Sequence, residues 1–366
     1  MEVTLVVEQL RRAVAGEVSG IGTYTLGLLQ GLAAMGHEAP AITLHASRAT
    51  TSPDPLAVHG HPVAASRLPG RLLTRAWDRS ALRAPAGPGA AVHSTSLAFP
   101  PGTTSVMVHD LAWRDVPDAY PPRGRRWHEA ALARAIHDDP QRLLLAPARV
   151  TADALVAAGA GHHRIEVVAE GADHLPPADL EGAQRILDGL GVREGFLLTV
   201  GTLQPRKNLR RLLDAYALAR PELPEPWPLV VVGPRGWGEQ IPTAEVPHGV
   251  LLAGEVRGAE LAGLYRRARC LAFVPLAEGF GLPPVEAMRE CTPVVATPGV
   301  PAVAGTGAVI EVDALDVRAI ATGLVRASSD DRIRSELVTA GLELTEGLTW
   351  EAAARRHVEL WADRRR

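Results

Sequence analysis

Cysteine is nearly absent from this chain of 366 residues, which has only Cys270 and Cys291. Each of the two lies within an apolar or helical stretch, where a buried structural role is the default for a free thiol. A framework of disulfide bonds is therefore not predicted, and the composition favours a reducing, cytoplasmic environment.

Long apolar runs and an excess of basic charge are also missing. No segment approaches the length of a membrane-spanning helix, and the first residues lack the basic and apolar regions of a signal peptide. The formal net charge of −3 is not that of a general nucleic-acid binder. A small molecule is thus the expected ligand, and no nucleic acid is expected as a partner.

One feature leaves contact with a membrane surface open. Basic residues recur at helical spacing beside Leu68, Leu72 and Leu73. They are Arg67, Arg71, Arg75, Arg79 and Arg83. Such a pattern is typical of a helix that lies on the inner face of a membrane, and equally of a solvated basic face.

The order of apolar segments predicts two α/β domains. Short β-branched runs alternate with helical patterns, which is typical of parallel sheets covered by helices. Residues 171–195, which include Pro176 and Pro177, separate two such series and give a boundary after residue 176. We therefore predict two doubly wound, Rossmann-like domains that face each other across a cleft. The first domain is residues 1–176, and the second is residues 177–349.

The segment from Leu271 to Met288 has the pattern of a strand, a glycine loop and a helix that starts with prolines. Backbone amides before a helix bind anions, so a diphosphate is the expected ligand of this loop. Glu278 and Glu286 bracket the loop, and their carboxylates can accept hydrogen bonds from sugar hydroxyls. Taken alone, Glu286 would be only a favourable charge in the first helical turn. The amides concerned belong to Gly279, Phe280, Gly281 and Leu282.

A second strand, at residues 196–200, runs into a loop that contains Arg206, Lys207 and Asn208. Asn208 is the expected N-cap of the helix that follows. Two cations ahead of a helix N-terminus oppose the helix dipole. Arg206 and Lys207 are therefore poorly placed for stability and well placed to neutralise phosphate.

Two further segments add candidate residues. His109 and Asp110 follow an apolar strand, where a histidine either forms a routine hydrogen bond or projects into a site. Gly20 and Gly22 precede an amphipathic helix, and by itself a pair of glycines indicates no more than a turn.

Together these motifs resemble glycosyltransferase family 4, whose members are retaining enzymes with the GT-B fold. The segment from Glu278 to Glu286 is similar to the E-x7-E signature of that family, and residues 201–208 are similar to its diphosphate-binding loop. The resemblance implies that Glu278 contacts the donor sugar and Glu286 the ribose of the nucleotide. It also implies that Arg206 and Lys207 stabilise the departing diphosphate.

The same resemblance gives roles to the two remaining segments. His109 would contact the donor sugar near the reaction centre. The backbone amides of Gly20 and Gly22 would approach the donor phosphate and the acceptor. The resemblance also implies that residues 1–176 form the acceptor-side domain, completed by a C-terminal helix at 350–366, and that residues 177–349 form the nucleotide-sugar-binding domain.

The resemblance implies a hexosyltransferase that takes a sugar from a nucleotide diphosphate donor such as GDP-mannose or a UDP-hexose. The expected acceptor is a hydroxyl group of a saccharide, a lipid-linked saccharide or a small molecule, in glycan, glycolipid or natural-product biosynthesis. No tight cluster of metal ligands is visible in the sequence, so no cofactor and no metal ion are expected.

Three other functions fit parts of the pattern. A sugar-nucleotide epimerase and a catalytically silent nucleotide-sugar binding protein would share the architecture, since a fold alone does not fix a function. An NAD-dependent oxidoreductase would also have a doubly wound sheet. Thr25, however, stands where the third glycine of its G-x-G-x-x-G motif would fall.

Overall fold

A computed structural model of the chain describes residues 1–12, 19–52, 54–236 and 246–363. The chain divides into two compact units, which we name unit 1 and unit 2. Unit 1 comprises Met1–Leu111, Pro121–Gly171 and the residues from Thr349 onward, and unit 2 comprises Ala112–Tyr120 and Ala172–Leu348. The division falls after Gly171, whereas the sequence prediction put a boundary after residue 176. Residues 364–366 of the predicted C-terminal helix lie outside the described residues.

Unit 1 contains a seven-stranded sheet. Its strands are β1 (Glu2–Val6), β2 (Ala41–Ala46), β3 (Val63–Ala65), β4 (Ala91–Ser94), β5 (Ser105–Met107), β6 (Leu143–Ala146) and β7 (Ile165–Val167). They lie in the order β3-β2-β1-β4-β5-β6-β7, and each neighbouring pair is parallel. The helices of the unit are α1 (Glu8–Arg12), α2 (Gly20–Ala34), α3 (Gly70–Trp77), α5 (Pro122–His137), α6 (Arg149–Ala157) and α13 (Trp350–Asp363).

Unit 2 contains a six-stranded sheet. Its strands are β8 (Leu197–Val200), β9 (Leu229–Val232), β10 (Val250–Gly254), β11 (Cys270–Phe273), β12 (Val294–Ala296) and β13 (Ile310–Glu311). They lie in the order β10-β9-β8-β11-β12-β13, again all parallel. The helices of the unit are α4 (Ala112–Asp115), α7 (Leu180–Gly189), α8 (Leu209–Ala219), α9 (Gly258–Arg267), α10 (Leu282–Arg289), α11 (Val317–Ser329) and α12 (Asp331–Glu346).

Short 3-10 helices connect several of these elements. They span Gly36–Glu38, Pro55–His59, Pro117–Ala119, His162–Arg164, Pro205–Lys207 and Arg220–Glu222. All residues of β9 and of β11 are buried, because a parallel sheet covered on both faces has no solvent side. Two doubly wound parallel sheets confirm the predicted α/β fold class.

Two strands of unit 1 are absent from the sequence prediction. β3 has only three residues, and β4 carries the polar side chains of His93 and Ser94, so neither forms an apolar run. Both polar side chains are buried because they have partners within the unit. His93 Nδ1 lies 2.9 Å from Ser105 Oγ, and Ser94 Oγ donates a 2.8 Å hydrogen bond to the Ser96 carbonyl.

The arginines that were predicted to share a helical face do not do so. Helix α3 ends at Trp77, so Arg79 and Arg83 lie beyond it. Ser80 and Leu82 have φ angles of 54° and 61°, which no continuing right-handed helix allows.

The leucines beside those arginines divide between core and solvent. Leu73 is buried with Trp77 in a core cluster of unit 1, and Leu68 packs against the same cluster. Leu72 alone of the three is 52% exposed. None of the described helices is long and apolar enough to cross a membrane.

The two cysteines also differ from each other. Cys270 is buried in β11, whereas Cys291 is exposed, so the expectation that both are buried is wrong for Cys291. Cys291 follows the end of α10 with a φ of 59°, and its amide donates to the Met288 carbonyl at 3.0 Å. This is the left-handed position that commonly ends a helix and that glycine usually fills.

Trp350, the first residue of α13, packs against the backbone of glycine residues in unit 1. The side chain is fully buried. A Cβ atom added to Gly27 would lie 2.1 Å from its ring, and one added to Gly31 would lie 2.0 Å from its carbonyl oxygen. A Cβ atom at Gly171 would lie 2.3 Å from its backbone nitrogen. Helix α2 and the end of the Pro121–Gly171 segment therefore approach α13 only because these positions are glycine.

We expect Gly31→Ala to lower the stability of the protein by roughly 1–3 kcal/mol, because the carbonyl of Trp350 cannot move away without shifting α13. The control is Gly124→Ala in α5, where nothing lies within 4 Å of the added carbon. That change is expected to raise stability by up to about 1 kcal/mol through helix propensity. Thermal unfolding of the two variants and the wild type measures both effects, and a Gly31→Ala midpoint at or above the wild-type value would contradict the packing argument.

Candidate functional site

Three charged residues of unit 2 form one cluster. Glu278 Oε1 accepts hydrogen bonds from Arg206 Nη1 at 2.7 Å and from Lys207 Nζ at 2.5 Å. The cations lie on the 3-10 helix after β8, and Glu278 lies in the loop after β11. Since β8 and β11 are parallel neighbours, these two loops leave the same edge of the sheet. The structure thus brings three of the sequence-predicted residues together.

The two cations of this cluster are suited to binding an anion. Burial by itself raises the pKa of Glu278, but the charges and hydrogen bonds of Arg206 and Lys207 outweigh it and lower the pKa. Glu278 is therefore ionised at neutral pH. Arg206 and Lys207 bring two positive charges to this edge of the sheet, and their side chains are 16% exposed. A diphosphate has the charge and the oxygen acceptors that such a cluster can bind.

The glycine loop after Glu278 requires a glycine at Gly281. Its φ is 112°, and a Cβ atom there would lie 2.3 Å from Val300 Cγ1. Helix α10 begins directly afterwards at Leu282 with two prolines in its first turn. Prolines have no amide proton, so these two residues cannot bind an anion through their backbone nitrogen. The amides that remain at this helix start are the predicted ones, from the loop and from Leu282.

Asn208 occupies the N-cap position of α8 but does not cap the helix with its side chain. Its φ is 59°. Its side-chain nitrogen Nδ2 donates hydrogen bonds to the carbonyls of Val274 at 3.0 Å and Ala314 at 2.7 Å. The predicted N-cap position is therefore confirmed, although the side chain forms no capping hydrogen bond. Asn208 instead ties the loop that carries the two cations to the end of β11, where the loop of Glu278 begins.

Glu286 does not lie in the first turn of its helix, and that part of the prediction is wrong, because α10 starts at Leu282. The carboxylate is buried in unit 2 between two partners. Its Oε1 lies 3.0 Å from His174 Nε2, and its Oε2 accepts a 2.7 Å hydrogen bond from the Tyr265 hydroxyl. Because Glu286 contacts these two side chains and is buried, it does not act as an exposed charge that stabilises the start of α10.

His174 and Tyr265 are missing from the sequence prediction of the site. Tyr265 lies on α9, and His174 lies in the segment that opens the second part of unit 2. Both are far from Glu286 in the chain, so local spacing gave no signal for the contact. One local feature could have drawn attention to His174. It is a histidine that follows soon after β7, the last strand of unit 1.

A small recess that is open to solvent lies in unit 2 at the carboxyl ends of its strands. Among its lining residues are Gly201, Thr202 and Lys207 from the loop after β8, and Phe273 and Val274 at the end of β11. Lys207 Nζ lies 4.8 Å from the centre of the Phe273 ring. The recess therefore adjoins the cluster of Arg206, Lys207 and Glu278 on the side of the apolar ring.

His109 lies in unit 1, just after β5. Its Nε2 is 3.0 Å from the Thr95 carbonyl and its Nδ1 is 3.3 Å from Glu170 Oε1. Both of these oxygens are acceptors, so each ring nitrogen needs a proton and the imidazolium form satisfies both contacts. Burial by itself lowers the pKa of His109, but the hydrogen bond and charge of Glu170, with the Thr95 carbonyl, outweigh it and raise the pKa.

Tyr24 packs against His109, and two neutral histidines lie next to Tyr24. The ring of Tyr24 packs edge-on against that of His109, 4.8 Å between centres. The Tyr24 hydroxyl is 2.8 Å from His357 Nε2 and 3.4 Å from His93 Nε2. Burial lowers the pKa of His357 to about 4 and holds the pKa of His93 well below its usual value, so both stay neutral. His109 is therefore the protonated member of this buried group.

Gly20 and Gly22 are the first and third residues of α2. Ser19 is the N-cap, and its hydroxyl oxygen accepts a 3.3 Å hydrogen bond from the Gly22 amide. The amide of Gly22 is thus used within the helix start, and Gly20 is exposed. Residues 13–18, which include the first part of the predicted glycine segment, lie outside the described residues.

Within the ranges that the structure describes, no group of three or more His, Cys, Asp or Glu side chains could hold a metal ion. The candidate residues described above are hydrogen-bonding and ionic groups. They comprise an anion-binding cluster and a bonded carboxylate in unit 2, and a protonated histidine in unit 1.

Comparison with known proteins places this arrangement in context. Residues 188–343, all in unit 2, match the family model described as glycosyl transferases group 1. The chain is 34% identical over 165 residues to O-antigen chain mannosyltransferase B of Escherichia coli, which is 43% of each protein. It is 29% identical over 410 aligned positions to D-inositol 3-phosphate glycosyltransferase of Nocardioides sp., covering 94% of this chain and 85% of that relative.

Solved structures extend the likeness to both units. Anabaena HepE in complex with UDP and glucose matches 99% of this chain and 100% of its own, with a TM-score of 0.72 at 17% identity. At this identity the match shows a shared fold. The chain spans less than half the length of the mannosyltransferase that it matches.

We expect Glu170→Gln to lower the pKa of His109, because the variant removes the charge that outweighs burial. The folded-state pKa lies above the ordinary value of 6.5. The stability that this pair contributes is therefore complete below about pH 6.5 and is lost as the pH rises through the folded-state pKa. NMR titration of the histidine ring tests this, with Asp153→Asn, an exposed carboxylate of the same unit, as the control. An unchanged His109 titration in Glu170→Gln would show that another group sets the pKa.

We expect pyrophosphate to raise the thermal midpoint of Glu278→Gln by more than that of the wild type. The variant removes the negative charge of Glu278, which lies against both cations and repels a bound anion. Thermal unfolding with and without pyrophosphate measures the increments, and Glu343→Gln, an exposed carboxylate of the same unit, is the control. Equal increments in wild type and Glu278→Gln would mean that the anion does not bind at this cluster.

Proposed function

We propose that this chain, which belongs to the group 1 glycosyltransferases and has the GT-B fold, moves a hexosyl residue from a nucleoside diphosphate sugar to a hydroxyl-bearing acceptor. The observation that carries the proposal is the cluster of Arg206, Lys207 and Glu278 at the carboxyl ends of two parallel strands. A leaving diphosphate gains negative charge as the anomeric bond breaks, so cations fixed at that position lower the barrier.

The residues of unit 2 take the donor in this proposal. Arg206, Lys207 and the amides of Gly279 to Leu282 bind the diphosphate. Glu286 accepts hydrogen bonds from the ribose hydroxyls. Glu278 contacts the donor sugar, which requires that it exchange part of its bonding to the two cations for sugar hydroxyls, while the diphosphate takes its place on the cations.

His109 acts on the donor sugar as a hydrogen-bond donor. Its imidazolium form, held by Glu170 and the Thr95 carbonyl, has both ring protons directed at acceptors. A sugar hydroxyl would share one of these protons. Gly20 and Gly22, at the start of α2, stay candidates for the phosphate and the acceptor, with Gly20 the more accessible of the two.

The choice of donor and acceptor rests on relatives. One relative is a mannosyltransferase of O-antigen chains, another is a D-inositol 3-phosphate glycosyltransferase, and one solved neighbour is in complex with UDP and glucose. We therefore propose GDP-mannose or a UDP-hexose as donor. The acceptor is a hydroxyl of a saccharide, a lipid-linked saccharide or a small molecule, in glycan, glycolipid or natural-product biosynthesis.

The finer assignment is glycosyltransferase family 4 with retention of the anomeric configuration, without a metal ion, in the cytoplasm or at the inner face of a membrane. It is supported by the E-x7-E spacing of Glu278 and Glu286. Two alternatives stay in the proposal. An epimerase would convert the donor without an acceptor, and a binding protein would leave the donor intact when acceptor is present.

We expect one nucleoside diphosphate among UDP, GDP, TDP and ADP to raise the thermal midpoint of the wild type, and NAD to have no effect. At about one hundred times the dissociation constant the stabilisation is roughly 2.7 kcal/mol. Glu286→Gln and Lys207→Met are expected to weaken it, and Glu343→Gln to leave it unchanged. Stabilisation by NAD alone, or by none of the diphosphates, would contradict the donor site.

The nucleotide that binds then defines the donors for a turnover assay. With acceptor present, Arg206→Ala and Lys207→Ala are expected to lower kcat by about 100-fold or more, since each removes charge from the leaving group. The anomeric proton coupling of the product reports the stereochemistry. An inverted linkage would rule out family 4, and donor conversion without acceptor would favour the epimerase.

A further inference from the structure

The free bonding capacity of the Glu286 carboxylate matches a pair of adjacent hydroxyls. An ionised carboxylate has two oxygens with roughly four acceptor positions. His174 Nε2 lies 3.0 Å from Oε1, and the Tyr265 hydroxyl donates a hydrogen bond to Oε2. About one position is then left on each oxygen. The 2′ and 3′ hydroxyls of a ribose can donate to two such oxygens together.

A single protein partner is not enough to orient the Glu286 carboxylate. The last torsion of a glutamate side chain is broad, so a single hydrogen bond does not fix the plane of the carboxylate. Tyr265 is fully buried, and burial with the charge of Glu286 holds its pKa well above the usual value, so its hydroxyl always donates to Oε2. The second contact, of His174 Nε2 with Oε1 at 3.0 Å, is what fixes the plane.

His174 is held at the start of the second part of unit 2. Two residues earlier, the amide of Ala172 donates a 2.9 Å hydrogen bond to the carbonyl of Leu348. The His174 side chain is 13% exposed, and that of Glu286 is 8% exposed. The contact is thus partly sheltered, which makes a hydrogen bond to a charged group stronger than in water.

We propose that His174 is a positioning residue for the ribose of the donor nucleotide, because it fixes the Glu286 carboxylate in the orientation that receives both ribose hydroxyls. The inference rests on the proposed function, which takes Glu286 as the ribose-binding group. His174 acts through Glu286 and is assigned no contact of its own with the nucleotide.

The test compares ligands that differ only in these hydroxyls. Affinities are measured by calorimetry for UDP against 2′,3′-dideoxy-UDP, and for GDP against 2′,3′-dideoxy-GDP. The variants are His174→Leu, His174→Gln and Glu286→Gln, and the control is His248→Leu, an exposed histidine of the same unit. Circular dichroism checks that each variant is folded. His174→Asn, whose side chain is too short to reach Oε1, replaces His174→Leu if the leucine variant does not fold.

The wild type is expected to prefer the ribose form of one nucleotide over its dideoxy form. His174→Leu should lose about ten-fold in affinity for the ribose form and little for the dideoxy form. The ratio of the affinities for the ribose and dideoxy forms should then fall towards one, as is expected for Glu286→Gln. His174→Gln, which can still donate to Oε1, should restore most of the preference, and His248→Leu should keep the wild-type preference.

A purely structural role for His174 predicts something else. Equal losses with the ribose and dideoxy forms, or an unchanged preference in His174→Leu, would overturn the inference while leaving the proposed function in place if Glu286→Gln still loses the preference. If neither UDP nor GDP binds, or if Glu286→Gln keeps the full preference, the proposed role of Glu286 fails and the role of His174 fails with it.

Discussion

Parallel pairing of neighbouring strands is the constraint on which both groups of candidate site residues depend. In unit 2, β8 pairs directly with β11, so the loops at their carboxyl ends are neighbours and Arg206 and Lys207 meet Glu278. In unit 1, β4 pairs directly with β5, and the same rule brings the Thr95 carbonyl to His109. Antiparallel neighbours would put the ends of adjacent strands at opposite edges of the sheet.

Each buried charge at these edges is matched by a partner from another loop. Burial raises the pKa of a carboxyl group and lowers that of an imidazole, so it favours the neutral form of both. For Glu278 two cations reverse this effect, and for His109 the carboxylate of Glu170 reverses it. The protein therefore keeps a carboxylate and an imidazolium in sheltered positions. In the function proposed above, each of the two exchanges a protein partner for a group of the donor.

Much of the fold and of the family could be predicted because the signals are local. Alternation of apolar strands and helices spans a few residues at a time, and the match of residues 188–343 to the model of glycosyl transferases group 1 includes both the segment from Glu278 to Glu286 and the cations after β8. The prediction failed where polar residues occupy a strand, as His93 does in β4, and where a helix starts one residue earlier than its prolines indicate, as α10 does. In both cases the deciding contact is with another segment.

By itself, the sequence determined the parallel α/β class, the family and the residue types that the site uses, since strand patterns, glycines and paired charges are written within short segments. The tertiary structure alone decided which side chains share a bond. It joined Glu286 to Tyr265 and His174, His109 to Glu170, and Trp350 to the glycines of α2. These contacts link residues far apart in the chain, and the pairing of distant segments depends on how whole sheets and helices pack, which no local spacing records.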